Sequence, residues 1–508
     1  MLARILMLCA LGCYCTPPAM GQRLNQLIVS YENGTIRTVD AGNPEANPDS
    51  VLAKWKSIKG VQAVQWDYRL VFRGTPNDPE YRQQWSLPRI GMEAAWNLCK
   101  GGRTAAGDTL VVAIIDAGFD IGHKDLAANV WINRGEVPDD GIDNDGNGFT
   151  DDIHGWNFSD ETGEFPPDYH GTAVAGIIGA AGNNGIGVSG INQHIRLMLF
   201  RTEKVSEVIK AHQYMIRQRE LYQSTNGKSG AMVVVANASF GIPGVFCREQ
   251  AVWAGMIAQT GRTGILTVTA TANQDMDIDV SGDMPATCTS PFLISVMNTD
   301  PNDAKEAGSA YGRQSIDIGA PGVQIFTTLP GNTYGFFSGT SAAAPQVSGA
   351  VALLYSVPCA VFAQTLRLYP EQAALVIKQA ILEGAEKKPY LDKLCVSEGR
   401  LSVSGSMAMM TEQCAQRSAT EAIGIVQLYP NPAQGEGLVV AYAAPDDAAV
   451  YWQITNTMGQ VIRKEPLPQP NTWQEKRLYI SLAGLPAGAY TLSLVSDGTA
   501  VHRWFIRM

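Results

Sequence analysis

The sequence predicts an α/β protein: a three-layer domain built on a parallel sheet, preceded by a small α+β module and followed by a β-sandwich. Three observations carry this. Between about 85 and 410, continuous apolar runs alternate with helical patterns, as in a parallel sheet covered on both faces. Before 75, a strand, a helix and a strand make a short separate unit. After about 425, short strands recur at even spacing between Gly, Pro and Asn turns, the pattern of a sandwich.

The chain has 508 residues, too many for one ordinary core. Its net charge of −10 and scattered Lys and Arg leave no basic stripe to neutralise phosphates, so nucleic acid is not expected as a partner. The start, "MLARILMLCALGCYCTPPAMGQ", has one basic residue, a short apolar core and small residues at Ala19 and Gly21. It reads as a signal peptide over 1–21, with a lipoprotein signal at Cys13 as the rival. Removing it takes three of the nine cysteines and leaves Cys99, Cys247, Cys288, Cys359, Cys395 and Cys414. Six cysteines admit 15 pairings, and spacing does not choose among them.

Residues 22–75 form the first module, with "TPNDPEYRQQW" after it as a linker. The main domain spans 76–410. Its expected buried strands are 110–116, 195–200, 231–240, 264–273 and 292–298, with helices over 204–220 and 248–261, the latter closed by Gly261. The long apolar stretch beginning at Ser341 is broken by Pro345, Gln346 and Pro358, so it reads as a buried helix, not a membrane span. Pro345 is expected to sit in the first turn, where amides lack intrahelical partners. Residues 411–424 read as a linker and 425–508 as the sandwich.

Three stretches carry chemistry: "VVAIIDAG" with Asp116 at a strand end, "HGTAVAGIIG" with His170 opening a helix, and "SGTSAAAP" with Ser341 opening another. A seryl hydroxyl is a weak nucleophile, so an imidazole must take its proton and a carboxylate must orient and stabilise that imidazole. In this order the motifs resemble the subtilisin-like serine proteases. The similarity covers most of 76–410, including "HKDL" at 123–126 and "APG" at 320–322. The resemblance implies a secreted endopeptidase acting on protein or peptide substrates. Ser341 would be its nucleophile, His170 its general base and acid, Asp116 its orienting carboxylate and Asn273 its oxyanion donor. Ser239, Phe240 and Gly241 would pair with an extended substrate, and Ala270, Thr271 and Ala272 would form the opposite wall. Asp283 in "SGDMPATC" is read either as a solvated loop aspartate or as the floor of the first specificity pocket, where it would favour Arg or Lys before the scissile bond.

The chain departs from the family's commoner motifs at Ala173, Ala342, Gln346, Ala272 and the "DAG" after the strand, none of which removes a catalytic group. The alternative function is a catalytically silent scaffold that binds at a surface.

Residues 136–152 hold seven carboxylates in 17 residues with no basic residue, a crowding that calls for a cation or solvent. Asp143, Asp145, Asn147, the Phe149 carbonyl and Asp151 fit the first part of a Ca²⁺ loop, with His154 where an EF-hand has its last Glu. The first module, with "KGVQAVQWD", resembles a subtilase propeptide, a folding helper and temporary inhibitor. "LYPNP", "NTMGQVI" and "LAGLPAGAYTLSL" resemble the C-terminal sorting domain of type IX secretion cargo. That resemblance implies passage through the type IX machinery to the outer-membrane surface or the medium; a carbohydrate-binding sandwich is the alternative.

Overall fold

A computed structural model describes residues 23–42, 47–68, 75–420, 424–429, 431–433, 437–443, 450–467, 476–496 and 499–508. The expected signal peptide, with Cys13, lies outside them. The chain divides into two compact units: residues up to Thr75 together with Met92–Leu98, and Pro76–Gly91 together with Cys99–Met508.

In the first unit, a three-stranded antiparallel sheet is ordered Ile36–Asp40, Arg23–Tyr31, Val61–Tyr68. What reads as one strand in the sequence is a hairpin. Asn33 Oδ1 accepts from Thr35 N at 3.0 Å and Gly34 takes φ +82°, a turn that Asn-Gly favours. Helix Pro48–Lys56, capped by Asn47, adds Val51 to a core with Leu27, Val29 and Val64.

The second unit is organised by a nine-stranded sheet. Its spatial order is Glu386–Lys387, Gly399–Arg400, Ile318–Pro321, Leu293–Thr299, Leu266–Ala270, Met232–Ala238, Leu110–Asp116, Arg196–Arg201, Gly155–Asn157. Only the first pair is antiparallel. Every residue of the four strands from Leu293–Thr299 to Leu110–Asp116 is buried, which explains why they are mostly apolar and do not alternate with exposed polar residues. Val111, Ala113 and Ile115 pack with Val208, Met215, Trp253 and Ile257 of helices Val205–Ser224 and Ala251–Arg262. Helices Tyr169–Gly179 and Thr340–Leu354 pack on each other and on the sheet.

Three sequence expectations are corrected here. Gly261 does not close its helix: a Cβ there would lie 2.0 Å from the Phe292 ring, so the glycine answers close packing, and the helix runs to Arg262. The segment 76–85 is not a free linker. Tyr81 and Asp78 are buried, and the Asp78 carboxylate accepts from Asn183 N at 2.9 Å and Asn184 N at 3.1 Å. The expected linker 411–424 is largely helical, since helix Val403–Thr420 crosses most of it and Cys414 is bridged to Cys359. The second disulfide joins Cys247 to Cys288, while Cys99 and Cys395 are free thiols.

From Gly424 on, two antiparallel sheets form the sandwich. One is ordered Gly424–Tyr429, Gly437–Ala443, Lys476–Ser481; the other Val461–Pro466, Tyr451–Asn456, Gly488–Ser496, Thr499–Arg507. Leu438, Val440, Trp452, Ile454, Leu492, Leu494 and Phe505 fill its core. Among the described residues no helix is long and apolar enough to cross a membrane.

Candidate active site

The candidate residues gather at the C-terminal ends of the parallel strands, where open α/β sheets leave backbone and loops free for chemistry. Asp116 ends its strand, 3% exposed, and its Oδ1 accepts from Ala117 N at 2.8 Å. The same Oδ1 lies 2.7 Å from His170 Nδ1. That contact makes Nδ1 the protonated nitrogen and leaves Nε2 as the basic one.

His170 stands in the first turn of helix Tyr169–Gly179, whose cap, Asp168, accepts from His170 N at 2.7 Å. The small-residue run after it has a steric reason. A Cβ on Gly171 would lie 2.1 Å from Gly118 O, and one on Gly176 would lie 2.1 Å from Thr328 Oγ1. The imidazole meets the Phe337 ring edge-on at 5.3 Å. Burial of the ring works against protonation, but the hydrogen bond and charge of Asp116, helped by Asp168, outweigh it and raise its pKa above the ordinary value.

Ser341 is 8% exposed at the start of helix Thr340–Leu354, which is entered through Gly339 at φ +123°. Its hydroxyl donates to Ser239 O at 3.0 Å, and among the described residues no hydrogen bond joins it to His170. Pro345 corrects the sequence expectation: it lies past the first turn, so its missing N–H removes the bond that Ser341 O would accept. The Ser239 hydroxyl serves that carbonyl instead, at 3.3 Å. Asn237 Nδ2 donates to Ser239 Oγ at 2.9 Å, and Ser348 Oγ donates to Asn237 Oδ1 at 2.7 Å. Neither residue was singled out from sequence, since a strand asparagine and a helix serine look unremarked until the fold joins them.

Asn273 is exposed beside this turn. Its Oδ1 accepts from Thr340 N at 2.9 Å and Thr340 Oγ1 at 3.1 Å, so its Nδ2 is left to donate outward. Ser239, Phe240 and Gly241 follow strand Met232–Ala238, and Phe240 stacks on Trp253 at 6.2 Å. Ala270 ends its strand, Thr271 Oγ1 donates to Val296 O at 3.1 Å, and Ala272 is buried. Asp283 is no solvated loop residue. It is 1% exposed, and its Oδ2 accepts from Ala272 N at 2.7 Å. Its Oδ1 lies 3.2 Å from where a Gly241 Cβ would stand, so the carboxylate lies between Gly241 and Ala272. Burial pushes its pKa up to about 6 against the lowering effect of the Ala272 N–H. Gln346, where the family often has His, is buried and donates to Pro321 O at 2.9 Å.

In the acidic loop, carboxylate oxygens of Glu136, Asp143 and Asp145 lie within 4.8 Å of one another. Glu136 lies outside the loop register read from sequence; it also accepts from Asp145 N at 2.9 Å and Asp151 N at 3.1 Å. Asp151 Oδ2 accepts from Gly141 N at 3.0 Å, and its buried Oδ1 has no partner. Asn147 Oδ1 accepts from Phe149 N at 2.8 Å, while the Phe149 ring packs on Trp156, Phe158 and Tyr214. His154 Nδ1 lies 2.8 Å from Trp131 O and plays no part in the cluster. The converging carboxylates of Glu136, Asp143 and Asp145 are of the chemistry a hard, oxygen-preferring cation takes.

A parallel sheet carrying an Asp–His pair and a seryl helix start defines a class of serine hydrolase fold. The chain belongs to the subtilase family, whose pattern residues 107–398 match. Residues 427–507 match the secretion system C-terminal sorting domain. Among curated proteins it is similar to subtilisin-like protease 1 of Plasmodium berghei, 29% identical over 304 residues, 55% of this chain and 47% of that protein. It is also similar to an extracellular protease of Xanthomonas campestris, 30% identical over 344 residues, 63% of this chain and 56% of that protein. The chain thus spans about half the length of these relatives. Among solved structures, proteases from Pseudoalteromonas arctica match with a TM-score of 0.47 at 22% identity, covering 66% of this chain and 100% of that one.

Proposed function

We propose that the chain is an exported serine endopeptidase that hydrolyses peptide bonds of proteins through an acyl-enzyme intermediate. The observation that carries this reading is the 2.7 Å contact of His170 Nδ1 with Asp116, at the same sheet end as Ser341 and Asn273. In this mechanism Ser341 Oγ attacks the scissile carbonyl as His170 Nε2 takes its proton, and Asp116 stabilises the imidazolium that forms. The oxyanion accepts from Asn273 Nδ2 and from the Ser341 backbone N–H at the helix start. His170 then donates its proton to the leaving amine, and water, activated by the same ring, releases the acyl group. Substrate adds as a strand along Ser239–Gly241, with Ala270–Ala272 opposite. The buried Asp283 carboxylate between the two walls supports a preference for Arg or Lys before the scissile bond.

A structural Ca²⁺ would be held by the converging Glu136, Asp143 and Asp145, with Asp151, Asn147 and the Phe149 carbonyl as the further ligands of the loop register, neutralising the crowded loop. The first module would act as propeptide and inhibitor, and the sandwich would direct export by the type IX machinery. The second reading, a silent scaffold, draws on the Ser341 hydroxyl donating to Ser239 O and not to His170. Intact-mass analysis after fluorophosphonate treatment separates the two: one adduct on the processed protein and none on Ser341→Ala is expected. No adduct on folded, processed protein would favour the scaffold.

A further inference from the structure

The Asp283 carboxylate is buried at the end of a very short element. Asp283–Met284 pairs with Ile242–Pro243 over only two residue pairs, and two pairs are too few to hold a ladder by themselves. The flanking contacts all run between the same two loops. Gly244 N donates to Gly282 O at 3.0 Å, and Cys247 N donates to Thr287 Oγ1 at 3.3 Å. Thr287 in turn returns to the pocket residue itself: its N and Oγ1 donate to Asp283 O at 2.8 and 3.1 Å. One residue further on, Cys288 is bonded to Cys247, so a covalent link closes the frame around Asp283. One loop leaves the Ser239–Gly241 edge and the other carries Asp283, so the frame sets the separation of the pocket's two sides.

We infer that the Cys247–Cys288 disulfide, acting through Thr287, is the positioning element that holds Asp283 in the substrate pocket and thereby sets selection for a basic side chain before the scissile bond. This rests on the proposed peptidase reading and on Asp283 lying in the pocket. The disulfide lies off the Asp116–His170–Ser341 path, so it acts on selectivity and not on the activated serine. Without the link, the two loops can part and the carboxylate can turn toward water, where its hydration competes with a substrate guanidinium.

The test compares the full processed protein with Cys247→Ser/Cys288→Ser, Thr287→Val and Asp283→Asn. Each is active-site titrated with the fluorophosphonate and assayed on matched peptides with Arg or Leu before the scissile bond. The Arg-to-Leu ratio of kcat/KM is expected to fall by about tenfold or more in Asp283→Asn, and by a substantial part of that in the cysteine double variant, whose titration is unchanged. Thr287→Val, which keeps the disulfide and so guards against a misfolded double variant, should fall less but in the same direction. A ratio lost in Asp283→Asn yet intact in both other variants overturns the brace alone. A wild type without preference for Arg overturns the pocket reading and the brace together.

Discussion

In the proposed mechanism two requirements conflict at Asp116 and His170: the imidazole would have to be buried enough to orient yet basic enough to accept a proton. Desolvation lowers its basicity, while the carboxylate 2.7 Å away raises it more, so the folded ring binds a proton at higher pH than a free imidazole. Catalysis needs the neutral ring, so the acid limb of kcat/KM against pH is expected above the ordinary histidine value. Asp116→Asn should move that limb to lower pH and reduce kcat by on the order of 10⁴-fold. A limb that stays put in the variant would mean Asp116 does not set the base. Asn273→Ala should cost about 10²- to 10³-fold in kcat with little change in KM, because the donor acts on charge formed only in the transition state. A second titration belongs to Asp283. Below about 6 its carboxyl takes up a proton and loses its pull on a guanidinium, so preference for Arg over Leu should fade as pH drops through that value. A preference constant from pH 5 to pH 8 would argue against it.

At the scale of elements, glycines and prolines do two different jobs that look alike in sequence. Gly261 yields to the Phe292 ring, and Gly261→Ala is expected to destabilise by roughly 1–3 kcal/mol through overpacking, read as a lowered midpoint in denaturant. Pro345 instead frees the Ser341 carbonyl for Ser239, tying the start of helix Thr340–Leu354 to the end of strand Met232–Ala238. The acidic loop is an element held by its own backbone donors plus Glu136, and its crowding predicts a cation. Excess EGTA should lower the melting temperature, and Glu136→Gln should shrink the Ca²⁺-induced rise. Equal melting with and without chelator would argue for a merely hydrated turn. The order of strands and helices was legible because periodicity is local, while strand ends were not: the run expected over 264–273 pairs only as Leu266–Ala270. Glu136, one of the seven loop carboxylates, was not legible as a member of the cluster, because only the fold brings it to Asp143 and Asp145.

Across the whole molecule, the stretch that matches the subtilase family, 107–398, and the one that matches the sorting domain, 427–507, do not overlap. The sandwich has its own core and its own pair of sheets, and helix Val403–Thr420, tied by Cys359–Cys414, leads the chain toward it. Residues 425–508 fused to a reporter with a signal peptide should carry that reporter to the cell surface in a host with type IX machinery. Periplasmic retention would favour a carbohydrate-binding role.

By itself the sequence determined the alternation of buried strands and helices, the order of Asp116, His170 and Ser341, and the change to short strands near the end. These follow from local patterning: which residues are apolar, at what period, beside which turn formers. Only the tertiary structure decided that Pro345 serves the Ser239 contact, that Asp283 is buried between two walls, and which four of six cysteines pair. Each of these depends on what a residue meets across the fold, and no spacing along the chain encodes that distance.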